Sequence, residues 1–323
     1  MKKQILLIIA LFFTGFLFAQ EDAPAEDPTG PWETGAGIGI DLTQLLQVNP
    51  RVGTGQNNLG LSGAVNFFAK YAQDRISWDN TASWQFGVQK IGAGPLPSGD
   101  NIPFQKSIDE LRLNSKFGYK VSEDSKFSYA TDFAFLSLIA PAYPGSETYP
   151  GLLLSNVNDT VTLAKFFSPA TINLSLGIDF KPSSKLSFYY SPIAYKGIYV
   201  ADDAIAELNV HGNEEGKNTF HNLGSLLRVI YQDKFVDEKI IFSSNLALFS
   251  NYLMEPQNVD IDWQNQLDVV ILKNLSLTLL ANLFYDHDVK VQITDYDSPS
   301  GVRGTGRRVS ITEQLLLKYR LTF

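Results

Sequence analysis

The segment LLLKYRLTF, residues 315–323, alternates along its length. In an extended strand, successive side chains point to opposite faces. Leu315, Leu317, Tyr319, Leu321 and Phe323 therefore share one side, and Gln314, Lys318, Arg320 and Thr322 share the other. A chain end is usually loose and polar. This one is an apolar-faced strand running to an aromatic residue, so it has a partner to bury its edge and an apolar surrounding for its outer side.

The same period of two recurs through the chain. In residues 77–90 (SWDNTASWQFGVQK), Trp78, Ala82, Trp84, Phe86 and Val88 oppose Ser77, Asp79, Thr81, Ser83, Gln85 and Gln89. In residues 171–181 (TINLSLGIDFK), Ile172, Leu174, Leu176, Ile178 and Phe180 oppose Thr171, Asn173, Ser175, Gly177, Asp179 and Lys181. The spacing predicts about twelve strands, near 34–47, 58–71, 77–91, 106–121, 126–138, 169–181, 185–200, 220–232, 239–251, 259–271, 275–286 and 309–323. Links after even strands are short, as in SEDS and PSS; those after odd strands are longer, up to segments 139–168 and 287–308.

Strands of about ten residues with one apolar face, joined alternately by short turns and long loops, fit a membrane-spanning barrel. In hydrocarbon every backbone N–H and C=O has to be paired within the protein, so a spanning sheet must close and leave no edge. The expected fold is all-β, a transmembrane antiparallel up-and-down barrel of about twelve strands over residues 33–323. The last strand closes on the first, near Gly35 to Gln47. Phe67, Tyr71, Phe117, Tyr119, Phe127, Tyr129, Phe180, Phe188, Tyr190 and Tyr231 all flank short turns, as an interfacial ring girdle requires. Pro192 interrupts the alternation of its strand, and a bulge is expected there. The inward side of residues 220–232 is ambiguous, because Leu226 and Ile230 lie beside Arg228.

At the other end, Lys2 and Lys3 precede an apolar run from Ile5 to Phe18. That is the layout of a secretory signal peptide over residues 1–20, with cleavage after Ala19 or Gln20. A short periplasmic segment, 21–32, would follow. The chain has no cysteine, which removes disulfides, thiolate metal sites and lipid attachment through cysteine. A formal net charge of -8 argues against a nucleic-acid partner. No cofactor is expected.

Residues 78–92 (WDNTASWQFGVQKIG), 107–135 (SIDELRLNSKFGYKVSEDSKFSYATDFAF), 168–200 (SPATINLSLGIDFKPSSKLSFYYSPIAYKGIYV) and 244–265 (SNLALFSNYLMEPQNVDIDWQN), with LFYDHD at 283–288, resemble a family of Bacteroidota outer-membrane β-barrels catalogued as a domain of unknown function. The resemblance spans roughly residues 50 to 290. It implies the outer membrane of a Gram-negative bacterium and supplies no activity. The final strand likewise resembles the C-terminal signal that the barrel-assembly machinery reads, carried here by Tyr319, Leu321 and Phe323.

Function is sought on the lumen face. Glu110, Arg112, Asn114, Lys116 and Lys120 make a mainly basic stripe on the fourth strand; Asp260, Asp262 and Asp268 make an acidic one on the tenth. Six strands apart in a ring of twelve, they face each other. The expected constriction is formed by Arg112, Lys116, Asp260, Asp262 and Asp268, in a narrow porin-like channel for small polar solutes. Inward ion pairs that plug the lumen are the bland counterpart. The alternative is a non-conducting barrel that serves as a structural or docking subunit for an outer-membrane protein partner. Its contact surface would be the apolar loop 139–168, through Tyr143, Tyr149, Leu152, Phe166 and Phe167. Catalysis is not expected: His287, between Asp286 and Asp288, shares a strand face with Tyr285 rather than with either aspartate. Calcium at Asp286, Asp288, Asp295 and Asp297 matches no recognised loop spacing.

Overall fold

The structure, a computed structural model, describes residues 30–48, 58–91, 105–142, 162, 164–208, 211–287, 291–295 and 302–322. The signal peptide, the start of segment 21–32, Tyr143, Tyr149, Leu152, Asp288, Asp297 and Phe323 lie outside the described residues.

In chain order the elements are β1 (Trp32–Val48), β2 (Asn58–Gln73), β3 (Ile76–Ile91), β4 (Gln105–Lys120), β5 (Phe127–Ser137), β6 (Ala170–Ser183), β7 (Leu186–Tyr199), α1 (Asp203–Ala206), β8 (Thr219–Phe235), β9 (Ile240–Asn251), β10 (Val259–Leu272), β11 (Leu275–Tyr285), β12 (Val291–Thr294), β13 (Val302–Gly306) and β14 (Ser310–Thr322). Twelve of the strands form one closed antiparallel barrel in sequential order, with β11 beside β14 and β14 beside β1. Closure runs from Gly37 opposite Thr322 to Val48 opposite Ile311, the pairing that the alternation of residues 315–323 demands. β12 and β13 stand apart as a hairpin inside the connection from β11 to β14, where the sequence reading has only the long link 287–308. Among the described residues, no helix is long and apolar enough to cross a membrane.

Register and ion pairing establish which face is inside. Arg228 on β8 reaches Asp132 on β5 at 3.1 Å, although β6 and β7 lie between them. Only the concave side of a curved sheet brings such positions together. Leu227 and Val229, on either side of Arg228, point outward by alternation, and Leu226 and Ile230 point inward with it. The ambiguous strand 220–232 is thus settled by its arginine.

The outer side carries Leu61, Phe67, Trp78, Leu113, Phe117, Leu174, Leu176, Ile178, Ile193, Trp263, Leu315, Leu317 and Tyr319, all exposed. Rings gather at the short-turn rim: Trp32 lies 5.1 Å from Tyr71 and 5.9 Å from Trp78, and Phe127 stacks on Phe180 at 4.5 Å. Indole N–H groups on this face keep partners, with Trp78 donating to Ser115 and Trp263 to Ser244. An apolar body with a satisfied polar tip suits a ring at a membrane interface.

The bulge expected at Pro192 is present. Register shifts across β7 on both sides: Leu176 opposes Ile193 and Ile178 opposes Tyr190, while Ser191 opposes Leu226 and Ala194 opposes Gly224. Ser191 and Pro192 together face Gly177. Proline has no N–H for the ladder. The Ser191 hydroxyl lies 2.8 Å from both the Leu176 and the Ile193 carbonyl oxygens, sharing its proton between acceptors that the bulge leaves open.

Candidate functional site: the barrel lumen

The size of the lumen follows from strand geometry. Twelve strands spaced about 4.8 Å apart and tilted about 40° enclose a backbone cylinder about 24 Å across. Side chains reaching in from both walls narrow that width further.

β4 and β10 lie opposite one another in the ring, as the sequence reading requires. Asp262 on β10 acts on Arg112 only as a distant charge, more weakly than Glu110 on the same strand. Arg112 is also ion-paired to Glu110 on its own strand. Lys116 does not face the acidic stripe. Its Nζ lies 2.8 Å from Asp179 on β6 and 5.0 Å from the centre of the Tyr189 ring. The concave wall brings the two strands on either side of β5 within reach, a neighbourhood that a period of two cannot reveal.

Asp179 anchors a network on this side. Its carboxylate accepts from Ser187 at 2.7 Å and lies 3.5 Å from Lys181. Next to it the buried Tyr189 hydroxyl lies 2.9 Å from Ser175 Oγ, and beyond that stands the Arg228–Asp132 pair. Arg112 and Lys116 of the wall that reads as basic are therefore paired, with Glu110 on β4 itself and Asp179 on β6.

The acidic stripe is held differently. Asp262 accepts from the Gln264 amide at 3.2 Å. Asp268 accepts from Gln266 at 2.5 Å and from the Thr278 hydroxyl. Asp260 accepts the backbone N–H of His287 at 3.4 Å. For Asp262 and Asp268 these are neutral donors, which orient a carboxylate without cancelling its charge. The two opposed stripes give way to an uneven pattern: a charge-paired wall from β4 to β8, and the Asp262 and Asp268 carboxylates on β10.

The long loops bear on access. Phe167 packs against Phe135 at 5.8 Å and Tyr199 at 6.3 Å, both on the outer side of the barrel. Its backbone N–H donates to Ser137 Oγ, which in turn donates to the Pro169 carbonyl. At the loop's other end, Lys106 and Asp109 form an ion pair on the outer face, 3.1 Å apart and almost fully buried. A register shift at Gly87 and Val88 turns Lys106 to that side. Asp109 accepts from Trp84 Nε1 and from the backbone N–H groups of Ile139 and Ala140, and Lys106 donates to the Ala140 carbonyl. Residues 138–142 and 164–169, bridged at Ala142 and Ala164, are thus bound to the outer wall. The described ends of this loop therefore lie on the outer wall and not in the lumen. Of the residues expected to dock a partner, Phe166 is exposed and Phe167 is spent on the barrel's own surface.

A second loop completes this collar. Val200, Ile205 and Ala206 bury a small apolar cluster beneath α1. Asp202 caps that turn by accepting from the Ile205 N–H, and it pairs with Lys165 from the first loop. Its carboxyl is held below the ordinary carboxylate range, first by the Lys165 hydrogen bond and then by the Ile205 N–H. At the mouth near β10, His287 Nε2 lies 3.5 Å from Glu255 and its Nδ1 lies 3.4 Å from the Tyr285 hydroxyl. Among the described residues no cluster could hold a metal ion.

The family model described as "Protein of unknown function (DUF3078)" matches residues 47–143, under a third of the chain. Over that stretch it supports the resemblance to a domain of unknown function. No curated protein matches. Among solved structures, the COG4313 outer membrane channel from Pseudomonas putida F1 is similar at 12% identity and a TM-score of 0.39, covering 91% of this chain and all of that one. The NanC porin is similar at 7% identity and a TM-score of 0.40, over 87% of this chain and all of that one. The translocator domain of the autotransporter NalP from Neisseria meningitidis is similar at 8% identity and a TM-score of 0.38, over 98% of both chains.

Proposed function

We propose that this protein is an outer-membrane channel that passes small polar solutes through its lumen, cations ahead of anions. The observation that carries the reading is the division of its two faces. The outside is an apolar band edged with rings, and the inside is lined by charged, amide and hydroxyl side chains. A water-filled passage gives the inner groups their solvent, and lipid gives the outer groups theirs. The described ends of the longest loop support an open mouth, since they are fastened outside the barrel. Arg112, Asp260, Asp262 and Asp268 are the proposed constriction, with Lys116 setting the charge balance of the facing wall through Asp179.

Ion preference follows from the uneven pairing. A carboxylate about 8 Å from a passing ion in water contributes about 0.5 kcal/mol, or roughly a twofold bias per charge. Purified protein in planar bilayers under a KCl gradient is expected to show current steps with a reversal potential on the cation side. Since the same charge favours cations and disfavours anions, Asp262→Asn is expected to lower the cation-to-anion permeability ratio about fivefold, and Asp262→Lys about thirtyfold. A reversal potential on the anion side, or one unmoved by Asp262→Lys, contradicts the assignment of the stripe.

The docking reading rests on loop 139–168, where the exposed Phe166 is the described residue that favours it. Recovery of the protein from solubilised membranes with a stoichiometric partner that Phe166→Ser releases would support it.

A further inference from the structure

A groove of about 430 Å³ runs along the outer face near the short-turn rim, lined by Phe117, Tyr119, Tyr129, Leu176, Ile178 and Tyr190. Its depth has a local cause. The bulge at Ser191 and Pro192 shifts β7 against β6, and the short Thr131 side chain stands outward between Phe117 and Leu176, so the outer surface dips between flanking rings. Most of an apolar barrel face is convex, and annular lipid slides over it. A groove walled by rigid rings is shaped to retain one chain.

The groove has a charged end. Tyr119, one of its walls, carries the Arg75 guanidinium over its ring at 4.4 Å. Arg75 is fixed there because its Nε donates to the Lys120 carbonyl at 2.8 Å and its terminal nitrogen donates to the Val121 carbonyl. The arginine keeps further N–H groups toward water, and an arginine held in a fixed plane suits a phosphate. The turn that it grips also presents Glu123, Asp124 and Lys126, and its own turn presents Asp74. This rim therefore offers both signs of charge within one turn's breadth.

We propose that this groove and rim form a site for a zwitterionic glycerophospholipid of the phosphoethanolamine class. One acyl chain lies against Phe117, Leu176 and Ile178, the phosphate meets Arg75, and the ammonium meets the acidic residues of the 121–126 turn. An acyl chain satisfies the apolar walls, and neither a single anion nor a single cation satisfies the rim. The inference rests on the reading of the outer face as lipid-facing and is independent of whether the lumen conducts.

The test is native mass spectrometry of the full chain in detergent after addition of phosphatidylethanolamine, or of diacylglycerol with the same chains. The wild type is expected to retain one phosphatidylethanolamine and to favour it over diacylglycerol at least tenfold. Ile178→Trp fills the groove and is expected to cut retention at least tenfold. Arg75→Gln is expected to remove the headgroup preference while residual chain binding persists, a split that loss of folding does not produce. Equal retention of the two lipids by the wild type overturns the proposal, as does unchanged retention by a folded Ile178→Trp. A barrel that inserts and conducts but retains no lipid overturns this inference alone. A chain recovered soluble from the periplasm overturns both this and the channel.

Discussion

Replacing Gly177 with alanine is expected to block formation of the barrel. A Cβ at this position would sit 2.1 Å from the Tyr190 carbonyl oxygen and 2.8 Å from Ser191 Cα. Both are backbone atoms of the neighbouring strand, so no rotamer change relieves the contact. The ladder has to separate at the bulge, where Ser191 already serves two carbonyls. Overpacking of this kind costs about 3 kcal/mol or more. The damage falls on a closed sheet in which every strand needs both neighbours. Refolding into detergent micelles, followed by the difference in gel mobility between heated and unheated samples, is expected to show folded wild type and little or no folded Gly177→Ala. Wild-type yield from the alanine variant would mean that β7 does not approach Gly177 as described.

Lys116→Met is expected to cause the second large loss. Asp179 has only 4% of its side chain exposed, so its charge depends on Lys116, Lys181 and Ser187. Removing the closest cation from a buried carboxylate costs about 3 to 5 kcal/mol when nothing replaces it. Lys181, half exposed and 3.5 Å away, places the expected value near the lower end of that range. Adding Asp179→Leu to Lys116→Met removes the stranded charge, and the double variant is expected to regain most of the stability. Urea unfolding in lipid vesicles measures Lys116→Met, Asp179→Leu and the double variant. Additive losses in the double variant would show that the two side chains do not act on each other.

Much of the barrel was legible in the sequence because its governing constraint is local. Lipid on one face and a polar lumen on the other impose a period of two on each strand, and the strand limits read that way agree with the structure to within a few residues. The bulge at Pro192 was legible too, because proline cannot donate to a ladder. Relations between strands that are not neighbours were hidden. Lys116 meets Asp179 across β5, and Arg228 meets Asp132 across β6 and β7, because curvature folds the concave face together. Charge alternation alone therefore made β4 a basic wall, whereas its Arg112 and Lys116 are paired with carboxylates. Asp179 and Lys181 did stand on the polar side of their strand in the sequence, so the signal existed and lacked a ring order to give it meaning.

The outer collar was hidden for a related reason. The apolar character of loop 139–168 announced that the loop must pack on something, and composition is the same for a partner, a lumen or the barrel's own outer wall. Phe167 against Phe135 and Tyr199 chose the wall. The register shift that turns Lys106 outward beside Asp109 has no period-two signature, because a bulge is the place where that period fails.

The chain has no cysteine, so one introduced thiol is unique. Asp262→Cys places it in the proposed passage, and Trp263→Cys places it next door on the lipid-facing side. Single-channel current through the Asp262→Cys protein in a planar bilayer is expected to fall abruptly and irreversibly on addition of a charged, membrane-impermeant thiol reagent. The Trp263→Cys protein is expected to be unaffected. No current steps from folded, inserted barrel, or equal block of both variants, would contradict a conducting lumen lined by Asp262.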